Sequence, residues 1–116
     1  MVELIKVEKE IDFILEKIDY EHLYKLVKDD KVIGYGTINK DKEDFIYIYI
    51  NEEARGNQYG KFLFLKILEE VKNMDYKEVK VKFSKENIQM LKIVNSIEGL
   101  HLSSNEDGVK YLIPLR

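Results

Sequence analysis

The chain has no cysteine and no tryptophan, one proline, and two histidines in 116 residues. Without cysteine there is no disulfide, no thiolate nucleophile and no thiolate metal ligand. His22 and His101 lie far apart and no carboxylates are grouped at ligand spacing, so no metal site is expected. No apolar run approaches the roughly 20 residues of a membrane span, and the N-terminus lacks the basic, apolar and small-residue succession of a signal peptide. These absences place the protein in the cytoplasm, with no membrane partner. The net charge of −3 also lacks the cationic excess that displaces counterions from nucleic acid, so no nucleic-acid partner is expected.

What is present is the composition of a soluble globular protein, 45% apolar and 35% charged, at a length that makes residues 1–116 one domain. Val2 to Val7 reads as an edge strand. Ile11, Ile14, Leu15 and Ile18 fall at i, i+3, i+4 and i+7, which predicts a helix over about Glu8 to Ile18. Two extended runs, Leu23 to Lys28 and Lys31 to Ile38, flank a hairpin turn at Asp29-Asp30. Gly34 and Gly36 share a face there and leave it bare, for a ligand or for crowded packing. Phe45 to Ile50 carries no charge, which predicts a central strand buried on both faces. A helix follows over Tyr59 to Asn73, then a half-exposed strand at Val79 to Phe83. A second helix, capped by Ser84 or Asn87, ends at Gly99, a closing hairpin turns at Asn105 to Gly108, and the missing N–H of Pro114 confines it to a strand end or an edge. The order is strand, helix, three strands, helix, strand, helix, two strands. Short turns make the three consecutive strands antiparallel, and the strand–helix–strand passage from Phe45 to Phe83 calls for a right-handed parallel crossover. The fold class is α/β (α+β), a mixed, mainly antiparallel sheet of about seven strands flanked by three helices.

One stretch carries chemistry. An apolar strand meets the loop Arg55-Gly56-Asn57-Gln58-Tyr59-Gly60-Lys61, and an amphipathic helix starts at once. The first turn of a helix has backbone N–H groups without partners and the positive end of the dipole, so a diphosphate fits where glycine leaves the backbone open. Arg55 and Lys61 add charge. The plainer reading of Arg55 alone is a surface ion pair with Glu52 or Glu53.

In these residues the sequence resembles the GCN5-related N-acetyltransferases, the GNAT superfamily. The family's Gln/Arg-x-x-Gly-x-Gly/Ala signature corresponds to Arg55 through Gly60, with Gln58 in place of the middle glycine. Its second motif, an asparagine opening the next helix, then Ala, Leu-Tyr and Gly-Phe, corresponds to Asn87, Met90, Ile93-Val94 and Gly99-Leu100. Val94 stands where many members carry a tyrosine acid, and Lys82 where some carry a glutamate base. The resemblance implies acetyl-CoA as co-substrate, no metal, and splayed fourth and fifth strands. It also implies a cofactor site in which Ile48, Tyr49 and Ile50 pair with the pantetheine arm. Gly56, Asn57, Gln58, Tyr59, Gly60 and Lys61 would hold the diphosphate together with Arg55, and Asn87 would contact the cofactor across the cleft.

The implied activity is direct acetyl transfer from acetyl-CoA to a primary amine of a small molecule or peptide. No catalytic residue is assigned. Tyr24, Tyr35, Tyr47, Tyr49 and Tyr111 are candidate acids, although sheet packing explains most of them. Glu43, Asp44 and His22 are candidate bases, with water as the default. Lys77, Lys80, Lys82 and Lys85 form a basic edge that suits solvent, the coenzyme's 3′-phosphate or an acidic partner. Val94, Lys82 and Gln58 together support a second reading, a GNAT-like domain that binds acyl-CoA or a protein without catalysis. A third is a mixed-sheet dimerisation module. The short segment before His22 predicts an open acceptor pocket, or one completed by a second subunit in a homodimer.

Overall fold

A computed structural model describes residues 2–7 and 19–115. The helix expected over Glu8 to Ile18 lies outside the described residues. Val2–Val7 (β1), Tyr20–Lys28 (β2), Lys31–Asn39 (β3) and Ile46–Ile50 (β4) form one antiparallel sheet in the order β1-β2-β3-β4. A 3-10 turn at Glu52–Ala54 leads into α1, Tyr59–Asn73. Glu78–Phe83 (β5), α2 at Ile88–Ser96, Leu100–Asn105 (β6) and Gly108–Pro114 (β7) complete the order, and the second sheet runs β5-β7-β6. Seven strands, antiparallel within each sheet, and two α-helices are thus present among the described residues.

Local chemistry accounts for the elements. Asp29 and Asp30 have φ of 51° and 65°, the two left-handed residues that a two-residue hairpin needs and that aspartate tolerates. In α1, Leu63, Phe64, Ile67, Leu68 and Val71 recur at helical spacing and are all buried. They lie against the first sheet where Gly36 leaves room, since a Cβ there would collide with Ile67 Cδ1. A Cβ on Gly34 would lie 2.6 Å from Tyr49 O. Both bare positions therefore serve packing, not a ligand. α2 ends with Glu98 at φ 61°, and Gly99 follows because a side chain there would meet Val94 O at 2.9 Å.

β4 departs from the expectation of a central strand. It is an edge of the first sheet, and Tyr47 to Ile50 are only half-buried. Its apolar run has another cause: one side chain row faces α1, and the strand's free edge borders a cleft. Through α1 the chain crosses to β5, where Phe45 N donates to Lys80 O at 3.0 Å, beyond which the strands part into separate sheets.

Glu43 braces this junction. Its Oε1 accepts from Lys110 Nζ at 2.8 Å and its Oε2 from Lys80 Nζ at 3.1 Å. The hydrogen bonds from Lys110 and then Lys80 hold the Glu43 carboxyl below its ordinary pKa, whereas burial pushes neighbouring Asp44 above its own. Because the folded value of Glu43 is depressed, its contribution to stability is present above the unfolded pKa and is lost as pH falls through the folded one. Glu43→Gln should therefore lower the urea midpoint at neutral pH. The gap to wild type should close below the ordinary carboxylate range, and shrink with added salt because the pairs are exposed. A midpoint gap independent of pH would exclude this role.

Candidate functional site

The loop after β4 is held by side chains that occupy carbonyl oxygens. Asn51 Nδ2 donates to Val32 O at 3.0 Å, Arg55 Nε to Ile50 O at 2.8 Å, and Asn57 Nδ2 to Ala54 O at 3.2 Å. The Arg55 guanidinium lies over the Tyr49 ring, 5.4 Å from its centroid, and Glu53 pairs instead with Lys31, so the plainer ion-pair reading of Arg55 is set aside. Gly56 has φ +84°, which favours glycine, and no atom lies within 4 Å of where its Cβ would be. Gln58 also adopts a left-handed backbone, φ 63° and ψ 15°, as N-cap of α1, and its side chain makes no capping bond. The family's glycine at this place thus has a backbone reason, which glutamine meets at some strain.

The first backbone bond into α1 runs from Phe62 N to Gln58 O at 3.1 Å. The amides of Gly56 to Lys61 meet no protein acceptor among the described residues. α2 differs, for Asn87 Oδ1 accepts from Met90 N at 3.1 Å and caps it. The start of α1 has no such side-chain cap.

β4 offers further donors. Asn51 N donates to Ile33 O, so the alternating residues Tyr47 and Tyr49 turn their backbone toward β3. Ile48 and Ile50 turn theirs to the open edge, and Arg55 covers Ile50 O. This edge, the loop and α2 enclose a cleft of about 740 Å³. Of the residues expected at the cofactor, Ile48, Tyr49, Ile50, Arg55, Gly56, Gln58, Tyr59, Gly60, Lys61 and Asn87 line it. Asn57 does not; its side chain folds back on the loop's own carbonyls. Sequence reading missed Ala54, Gln89, Met90, Lys92, Ile93 and Ser96. Helical spacing from Asn87 through Gln89, Lys92 or Ile93 and Ser96 was the signal available. Among the described residues the lining holds three cations, Arg55, Lys61 and Lys92, and no carboxylate.

The candidate acids and bases are mostly placed elsewhere. Tyr24 is buried, with its pKa pushed up to about 12 by burial and then by Glu70. Tyr111 is buried and stacks on Phe83 at 5.7 Å. Burial raises Tyr47 as well. Only Tyr49 of the five tyrosine candidates lines the cleft. Glu43 is engaged by two lysines, and neither Asp44 nor His22 lines the cleft. Val94 is fully buried, outside the lining. Lys77, Lys80, Lys82 and Lys85 also lie outside it.

The Acetyltransferase (GNAT) family model matches residues 3–93, and the chain belongs to that family. Solved structures agree in fold. A Bacillus subtilis acetyltransferase in complex with CoA is 13% identical, with TM-score 0.81 and 100% of both chains covered. An IAA acetyltransferase from Bacillus cereus is 15% identical, with TM-score 0.81, covering 99% of this chain and 100% of its own. A GNAT family acetyltransferase from Elizabethkingia anophelis with acetyl-CoA bound is 13% identical, with TM-score 0.75 and 98% of both chains covered. No curated protein matches the sequence. No helix among the described residues is long and apolar enough to cross a membrane.

Gln58 yields a direct test of the loop geometry. Gln58→Gly should stabilise the fold by up to about 1 kcal/mol, the left-handed penalty less the added freedom of the unfolded chain. Chemical denaturation reads it, and a loss of stability would show that the loop does not hold this backbone.

Proposed function

We propose that the protein is an acyl-CoA-dependent N-acetyltransferase, moving an acetyl group from acetyl-CoA to a primary amine of a small molecule or peptide by direct transfer. The observation that carries this is the run of amides from Gly56 to Lys61 that meet no protein acceptor among the described residues, at an uncapped helix start beside a cleft whose described lining holds cations and no carboxylate. Solved structures with the same fold hold bound CoA and acetyl-CoA, which supports the same cofactor here. No metal enters the reaction, and we place it in the cytoplasm. A homodimer that completes the acceptor side belongs to the same reading.

In this reading the loop amides and Arg55 hold the diphosphate, and Asn87 Nδ2, free of the cap made by Oδ1, contacts the cofactor. The pantetheine arm lies along the open edge of β4, pairing with Ile48 and Ile50. The amine's lone pair attacks the thioester carbonyl carbon, and the C=O pair moves onto oxygen. The Ile48 N–H, on that open edge, donates to the oxyanion. Collapse breaks the C–S bond, the coenzyme leaves as thiolate, and the nitrogen gives its proton to water. Positioning supplies about 7 to 11 kcal/mol of the barrier reduction and the amide about 3 kcal/mol more. Neither needs the missing tyrosine.

Val94 and Lys82 favour a second reading, in which the same cleft binds acyl-CoA without turnover. Calorimetry with acetyl-CoA, followed by thiol release across a panel of amines, separates the two: heat with thiol supports the first, heat without thiol the second. No heat at all removes both. A variant adds an internal check. A Cβ on Gly60 would lie 3.9 Å from Ile50 Cγ1 and from Ile93 Cδ1, so the protein itself has room there. Gly60→Leu should keep or raise the melting temperature, leucine being the better helix former. By projecting into the cleft it should also weaken acetyl-CoA at least tenfold, about 1.4 kcal/mol; unchanged affinity would move the cofactor elsewhere.

A further inference from the structure

The two faces of β4 are unlike. Gly36 and Gly34 stand opposite Ile48 and Ile50, and a Cβ on Gly36 would strike Ile67 Cδ1, so all four positions look toward α1. A Cβ on Gly60 would touch both Ile50 and Ile93 of α2, and the two helices thereby close this face. Alternation puts Tyr47 and Tyr49 on the other one. There the cross-strand pairing makes two rows, Lys25-Tyr35-Tyr49 and Leu23-Thr37-Tyr47, and neither holds a carboxylate. Tyr35, Tyr47 and Tyr49 are all half-buried. Cations flank the first row: Lys25 makes no ion pair among the described residues, and the Arg55 guanidinium lies over the Tyr49 ring. Lys25 and Tyr49 stand two strand spacings apart, roughly 10 Å. A pantetheine arm paired along β4 continues the sheet, so its acetyl carbonyl shows one side to each face. With the helices filling one face, the amine arrives over the tyrosines.

We infer that the acceptor is a primary amine that carries an aromatic ring and no second positive charge, with Tyr35 and Lys25 as the residues that select it. This rests on the acetyltransferase reading above. Two tyrosines directly opposite each other offer a third ring a stacked or tilted seat, which an aliphatic chain of the same length cannot use as well. A second ammonium on the acceptor would meet Lys25 and Arg55, with no carboxylate in either row to balance it, so polyamines are rejected by charge. The same two cations disfavour the protonated form of the bound amine, which has no lone pair to attack with.

Thiol release from saturating acetyl-CoA with 2-phenylethylamine, hexylamine and spermidine tests it. Wild-type kcat/KM should be about tenfold higher for 2-phenylethylamine than for hexylamine, and lowest for spermidine. Tyr35→Leu should bring the first two amines level without changing acetyl-CoA affinity by calorimetry, and Tyr35→Phe should keep the preference. Lys25→Glu should raise spermidine about tenfold relative to hexylamine. Lys77→Ala should alter no ratio. Each ratio is read on one preparation, so a partly unfolded variant does not mimic a change in selection. Spermidine equal to or better than 2-phenylethylamine in wild type, or a Tyr35→Leu loss shared by all three amines, overturns the inference while leaving the acetyltransferase reading standing. Thiol release with none of the three overturns it as well, and the wider amine panel then decides the acetyltransferase reading by itself.

Discussion

Six consecutive amides, Gly56 to Lys61, without a protein acceptor among the described residues impose the main constraint on this fold. A loop normally rests on its own N–H to C=O bonds. Here the carbonyls of Val32, Ile50 and Ala54 are taken by the side chains of Asn51, Arg55 and Asn57. Acceptors are thus satisfied from side chains while main-chain donors are left over. With the dipole of α1 behind them, that surplus makes the spot electropositive in a protein of net charge −3. Aspartate or serine at the N-cap would have filled it, as Asn87 does for α2. Gln58 leaves it open and supplies the left-handed turn that aims the amides outward.

The cleft itself depends on where the two sheets touch. Phe45 N to Lys80 O joins them, and the Glu43 bridge to Lys80 and Lys110 reinforces that end. Further along, β4 loses its neighbour, and the backbone of Ile48 and Ile50 faces space on one side. A sheet edge normally invites aggregation. This one is covered by Arg55 at Ile50 and by the wall of α2, which leaves a donor row inside a cleft and away from other proteins.

Much of this was legible in the sequence, because the signals were local. The strand order, the Asp29-Asp30 turn, the Asn87 cap and the extent of α1 all follow from short-range chemistry. Ten cleft residues were named for the same reason, each lying on the strand–loop–helix run or at the next helix start. What could not be read depends on partners distant in sequence. An uncharged strand has the same composition at the centre of a sheet or beside a cleft, so β4 looked central. Asn57 sits inside the motif, and only the position of the Ala54 carbonyl shows that its side chain turns back. The basic run at β5 was conspicuous by density, yet Lys92 alone among the lysines beyond Lys61 reaches the lining. Glu43 is likewise a plain turn residue until β5 and β7 bring Lys80 and Lys110 to it.

Val94 bears on chemistry more than on architecture. Fully buried beside Gly99, it supports the core where a phenol would otherwise have to find a polar partner. The hydroxyls left in the cleft are those of Tyr49, Tyr59 and Ser96. Lys28 Nζ lies over the Tyr59 ring, 5.3 Å from its centroid, and Ser96 gives its proton to Ile93 O, which leaves Tyr49 as the phenol nearest in kind to the one replaced. General acid assistance contributes about 10²- to 10⁴-fold. A thiol, with an ordinary pKa near 8.5, is also a tolerable leaving group as the thiolate. In the proposed reaction the rate therefore rests on holding the thioester against the Ile48 amide, and the geometry of the α1 start, which fixes the diphosphate, becomes the chief determinant of turnover.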